Sequence, residues 1–123
     1  MIHLDTNFLI QSLVTGTTTS ATFHLWLSAG EDIEISSVAW SEFLCGPMST
    51  TDLDLARQLF PKVEPFLKTN AEKAAELFNL TGRRPRSLAD CQIAAVTFRC
   101  NARIATSDRN DFKLFEEHGV NLI

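Results

Sequence analysis

The sequence predicts an α/β fold: a three-layer α/β/α sandwich around a mainly parallel sheet of about five strands. Three observations support this. Short apolar or alternating stretches take turns with longer helical patterns along the whole chain. Ser, Thr, Asp or Asn precedes most of the helical patterns, and Gly closes several of them. Hydrophobic residues make up 45% of the 123 positions and charged ones 21%, which is enough for one core but too little for two chemical domains. Residues 1–123 are therefore expected to form a single domain, and intrinsic disorder is excluded.

Ile2-His3-Leu4 opens the chain as a strand, and Asp5-Thr6-Asn7 offers cap residues to a helix carrying Phe8, Leu9, Ile10, Leu13 and Val14. Phe23, Trp26 and Leu27 at helical spacing place a second helix over about residues 20–29, with Gly30 as its stop. Ile33 and Ile35 alternate with Glu34 as a strand. Ser36-Ser37 then caps a helix through Val38 to Leu44, which Gly46-Pro47 ends. Thr50-Thr51-Asp52 starts a helix with Leu53, Ala56, Leu59 and Phe60. Residues 62–67 alternate as a strand that Pro65 confines to an edge. Asn70 to Leu80, rich in Ala, Glu, Lys and Leu, reads as helix to Gly82, and Ser87 begins another that reaches about Cys100. Arg103 to Thr106 and Val120 to Ile123 complete the strands.

Charge is unevenly distributed. The formal net charge is -4, yet no Lys or Arg precedes Arg57, whereas Asp5, Glu31, Asp32, Glu34, Glu42, Asp52 and Asp54 all do. The basic cluster Arg83, Arg84 and Arg86, with Arg109, supplies candidates for guiding a polyanionic strand. Cys45, Cys91 and Cys100 form no C-x-x-C pair, so they are expected to be inert, mostly buried thiols rather than a disulfide framework or zinc site. His3, His24 and His118 are scattered, and no G-x-S-x-G elbow is present, which leaves covalent Ser or Cys hydrolysis unsupported. No apolar run nears the roughly 20 residues that cross a bilayer, and the first residues lack the basic region of a secretory signal. A cytoplasmic protein without membrane contact is expected.

Carboxylates carry the remaining chemistry. Asp5 directly follows the first strand and Asp108 follows the strand at Arg103–Thr106, so pairing of those strands would bring both acids to one sheet edge. Asp90 lies in the first turn of its helix, where the dipole favours an ionised carboxylate. Glu42 is the single charge on a largely apolar helix, and it must reach a cleft, stay at the rim or meet a cation. Four such acids in one pocket repel one another unless a divalent cation joins them, and all-oxygen donors suit Mg²⁺ or Mn²⁺. Simple capping is the competing explanation: Asp90 with Ser87 as a capping box, and Asp5 and Asp108 as ordinary N-caps.

Leu4-Asp5-Thr6-Asn7, Ser41-Glu42-Phe43, Leu88-Ala89-Asp90-Cys91-Gln92-Ile93-Ala94-Ala95 and Thr106-Ser107-Asp108-Arg109-Asn110-Asp111-Phe112 occur in this order over the whole chain. In these segments the sequence resembles the PIN-domain ribonucleases, particularly the VapC toxins of toxin–antitoxin pairs. The resemblance implies a PIN-like fold and a Mg²⁺-dependent endoribonuclease whose metal and catalytic quartet is Asp5, Glu42, Asp90 and Asp108. It also implies that the Thr6 hydroxyl assists Asp5, that Asn7 shapes the turn, and that Asp111 acts as an outer or capping acid. A cognate VapB-like antitoxin, placing an apolar helix in a groove and a basic side chain among the acids, and a homodimer are implied as well. Two other functions compete. One is aspartyl phosphotransfer, disfavoured because Asn7 stands where a second Asp is required. The other is a non-catalytic RNA-binding module whose acids only cap helices.

Overall fold

A computed structural model describes every residue from Met1 to Ile123. Four parallel strands form the sheet: β1 (Ile2–Leu4), β2 (Ile33–Ile35), β3 (Arg103–Ala105) and β4 (Asn121–Leu122), in the order β2-β1-β3-β4. Seven helices connect them: α1 (Thr6–Ser12), α2 (Thr18–Ser28), α3 (Ser37–Cys45), α4 (Thr50–Leu59), α5 (Lys68–Leu80), α6 (Leu88–Arg99) and α7 (Arg109–Lys113). From β1 the chain first moves outward to β2 and later returns to the other side of β1 to lay down β3. The strand order therefore reverses between β1 and β3, and the crevice beyond their carboxyl ends is where parallel sheets bind ligands.

Every residue of β1 is buried although its side chains alternate in direction, so both faces of the sheet are covered. His3 shares a face with its β3 partner Ile104 and meets Thr97 of α6, whereas Leu4, Ile35 and Ala105 share a single position in the register on the other face. Helix α6 packs on β3, α3 and α5, and its consecutive buried run from Ile93 to Thr97 shows cover on nearly all sides. One continuous core runs from Ile2 and Leu4 through Phe43 and Leu77 to Phe112 and Val120.

Side-chain caps set several boundaries. Thr17 accepts from the amide of Ser20, Ser36 from Ala39 and Ser49 from Asp52, each cap being worth about 1 kcal/mol. The expected fifth strand at residues 62–67 does not form. Only Glu64 pairs, through its N–H to the Ile35 carbonyl at 2.8 Å and its carbonyl to the Ser37 N–H at 2.7 Å. Pro65 has no N–H to continue the ladder, and α5 begins three residues later. Between β3 and β4 lie α7 and a 3-10 turn at Glu116–His118, both too short to show a helical period. No helix is long and apolar enough to cross a membrane.

Candidate active site

Asp5 leaves β1 and becomes the N-cap of α1. Its Oδ1 accepts the Phe8 N–H at 2.7 Å, its Oδ2 accepts the Thr106 hydroxyl, and its own amide bonds to the Ala105 carbonyl at 3.1 Å. The residue is only 3% exposed. Burial pushes its pKa up to about 6 against the pull of those two hydrogen bonds, and the charges of Asp108 and Glu42 push the same way. Asp5 is thus both a cap and a member of an acidic cluster, and the two readings do not exclude each other.

Thr106 leaves β3 at the matching level. Its hydroxyl donates to Asp5 and accepts the Asp108 amide at 2.9 Å, so one side chain ties the ends of the two central strands. Asp108 stands at the N-cap of α7 but makes no cap bond; its Oδ2 instead accepts from Asn7 Nδ2 at 2.6 Å. Asn7 therefore does more than shape a turn, because it holds an acid from the opposite end of the chain.

Glu42 lies exposed at the rim on α3, and its Oε1 accepts the Thr6 hydroxyl at 2.8 Å. The Thr6 hydroxyl thus serves Glu42 rather than Asp5, and Thr106 fills the role expected of Thr6. Thr106 is the residue beside these acids to which the sequence reading gave no role. From sequence alone the strand extends through Thr106, whereas β3 ends at Ala105 and leaves Thr106 at the level of Asp5.

Asp90, in the first turn of α6, is half-buried. Its pKa is raised to about 6 by burial first, then by the charges of Asp111, Glu42, Asp5 and Asp108. The capping-box explanation fails for this residue. Ser87 has helical rather than extended backbone angles and no side-chain cap bond; its hydroxyl donates to the Arg84 carbonyl at 2.8 Å.

Asp111 makes an ion pair at 3.7 Å with Arg84, whose Nη2 also reaches the Asp111 carbonyl at 3.1 Å. Three of the four candidate strand-guiding arginines are engaged within the chain: Arg83 with Asn79, Arg84 with Asp111 and Arg109 with the Ile123 carbonyl. Arg86 is exposed. Among the cysteines, burial pushes the Cys91 and Cys100 thiols up, as expected of inert groups, whereas Cys45 is exposed at the end of α3.

The acids therefore lie near one another around the carboxyl ends of β1 and β3, each oriented by a hydrogen bond or by its helix. The expectation that four acids share one ion-binding pocket is not met: no three His, Cys, Asp or Glu side chains stand close enough to cage an ion unaided. The acids also repel one another, a smaller contribution than burial to the raised values of Asp5 and Asp90, and this opposes closer approach without a cation. An open all-oxygen set nevertheless fits Mg²⁺ or Mn²⁺, because Mg²⁺ keeps several waters and takes one or two carboxylates plus substrate phosphate oxygens rather than a protein cage.

Comparison with known proteins followed the same outline. No curated protein matches the sequence. Among solved structures, VapBC2 from Rickettsia felis, bound to a DNA fragment from its promoter, aligns at TM-score 0.78 and 19% identity over 100% of this chain and 98% of that one. FitAcB from Neisseria gonorrhoeae aligns at 0.73 and 21%, over 100% and 96%. VapBC-1 from nontypeable Haemophilus influenzae aligns at 0.73 and 17%, over 100% and 97%. At such identities these structures share the fold. The PIN domain family model matches residues 2–117, from the first strand through α7, and by that match the chain belongs to the PIN domain family.

Proposed function

We propose that the protein is a metal-dependent endoribonuclease, the toxin component of a VapC-like toxin–antitoxin pair. The observation that carries this reading is the convergence of acids from separate elements on the β1/β3 switch point: Asp5 after β1, Asp108 after β3, Asp90 on α6 and Glu42 on α3. Burial first, and the charges of the neighbouring acids after it, raise Asp5 and Asp90 to about 6, and a bound cation offsets both costs. Membership of the PIN domain family supports the same chemistry.

Asp5, Asp90, Asp108 and Glu42 would hold the ion, and Asp111 would lie outside them. When bound, Mg²⁺ or Mn²⁺ supplies a water of lowered pKa and neutralises charge on the phosphoryl oxygens. The chain's part is orientation. Thr106 and the Phe8 amide fix both oxygens of Asp5, Asn7 fixes Asp108 and Thr6 fixes Glu42. Such outer partners govern ligand geometry and affinity. RNA reaches this acidic mouth only with a cation to bridge it. Arg86 and the outward parts of Arg83 and Arg109 would guide the strand.

The antitoxin reading draws on the VapBC and FitAB complexes among the similar structures. An apolar recess of about 320 Å³ lined by Ile10, Leu13, Val14, Phe43, Pro47 and Met48 is where we place the antitoxin helix. We place the protein in the cytoplasm as a homodimer. The test is cleavage of RNA by the wild type and Asp5→Asn with Mg²⁺ or Mn²⁺, with and without chelator. Chelator-sensitive turnover lost in Asp5→Asn supports the reading; turnover that survives both treatments rejects it.

A further inference from the structure

Arg84 was a candidate RNA contact, yet its contacts face inward. The residue sits in the turn between α5 and α6, flanked by Arg83 and Arg86, both in the left-handed backbone region at φ 53° and 64°. Its carbonyl accepts the Ser87 amide at 3.2 Å and the Ser87 hydroxyl at 2.8 Å, three residues before Asp90. Its guanidinium crosses to α7 and grips Asp111 twice, through the carboxylate at 3.7 Å and the main-chain carbonyl at 3.1 Å. Its Nε is buried with no partner, so that end of the side chain is packed into the protein while the rest of the guanidinium stays partly open to solvent. One residue therefore bridges the helix that carries Asp90 and the helix that begins at Asp108. Those helices bear like charges, and Asp111 is the strongest of the charges acting on Asp90.

We propose that Arg84 is a positioning residue that ties the turn before α6 to α7 and so sets the spacing between Asp90 and Asp108, an inference that rests on the nuclease reading of those acids. Arg84 acts through Asp111 and touches neither metal nor RNA. A fork suits the task, since a guanidinium bonds a carboxylate and a carbonyl together where an ammonium is a point charge.

Arg84→Met keeps the stem and removes the fork. Three quantities decide the matter: amide hydrogen exchange over residues 109–113 without metal, affinity for Mn²⁺ by calorimetry, and kcat and KM for RNA at saturating Mn²⁺. Exchange in α7 is expected to quicken and the Kd for Mn²⁺ to rise, each by about five- to tenfold, with KM for RNA unchanged. Unaltered exchange in α7 overturns the proposal. A raised KM with intact Mn²⁺ affinity also overturns it and makes Arg84 an RNA contact, and faster exchange with intact affinity reduces Arg84 to a stabilising tie. Wild-type protein that neither binds Mn²⁺ nor cleaves RNA removes the nuclease reading instead, and exchange in α7 then still decides whether the tie exists.

Discussion

Asp5 shows how one side chain serves folding and chemistry at once. As N-cap it satisfies the Phe8 amide, and as a buried acid among other acids it has a pKa raised to about 6 without metal. Asp5→Asn keeps the shape and an acceptor for Phe8 but carries no charge. We expect RNA cleavage to fall by at least about 100-fold while the metal-free protein melts no lower than wild type at pH 7.5, because a repelled buried charge has been removed. Loss of activity together with a collapse in melting temperature would make the residue structural only. Thr106→Val is expected to weaken Mn²⁺ binding by roughly 10–100-fold, since it frees one oxygen of Asp5 and the Asp108 amide together. The four acids were legible in the sequence through their joint order and spacing, since capping accounts for most of them when each is taken singly. The partners of Thr6, Asn7 and Thr106 were not, since a short hydroxyl or amide finds its acceptor through tertiary placement, here 36 and 101 residues away.

At the scale of elements, periodicity and punctuation located β1 to β4 and six of the seven helices. They failed where an element is short or its ladder interrupted. Alternation at residues 62–67 resembled a strand, but the missing Pro65 N–H left a single bridge at Glu64. Helix α6 matters most for the site because it carries Asp90 at one end and fills the space among β3, α3 and α5 with small side chains. Ala94 and Ala95 are fully buried there, so Ala95→Leu forces neighbouring elements apart. We expect it to destabilise by about 1–3 kcal/mol and to displace Asp90 enough to lower Mn²⁺ affinity. A tolerated leucine, read from urea denaturation, would show that α6 is looser than its burial implies. Ser36→Ala, which removes the cap of the helix carrying Glu42, is expected to cost about 1 kcal/mol.

For the whole molecule, pH sets two buried groups against each other. Asp5 and Asp90, raised from 3.8 to about 6, bind protons in the fold that the unfolded chain has released, so their contribution to stability is lost as pH rises from about 4 to 6. His3, buried beside Met1 and Thr97, is lowered from 6.5 to about 4, chiefly by burial, so its contribution is lost as pH falls from 6.5 to 4. The shifts of Asp5 and His3 each correspond to about 3 kcal/mol, with Asp90 smaller because water partly screens it. In metal-free wild type Asp5 and His3 therefore nearly offset each other, and stability should fall modestly between about pH 4.5 and 6.5 by the share of Asp90. Asp5→Asn should lose stability on acidification over that range, and His3→Phe should gain it, as thermal unfolding would reveal; parallel curves for all three proteins would contradict these environments. The central claim is that acids from separate elements jointly hold a cation, and calorimetric titration of Mn²⁺ into the metal-free protein at pH 6, in buffers of different ionisation enthalpy, tests it most directly. Two acids half-protonated at that pH predict binding accompanied by release of about one proton, abolished by Asp5→Asn or Asp90→Asn and retained in the distant Glu76→Gln. Absence of binding, or binding indifferent to Asp5 and Asp90, would contradict it.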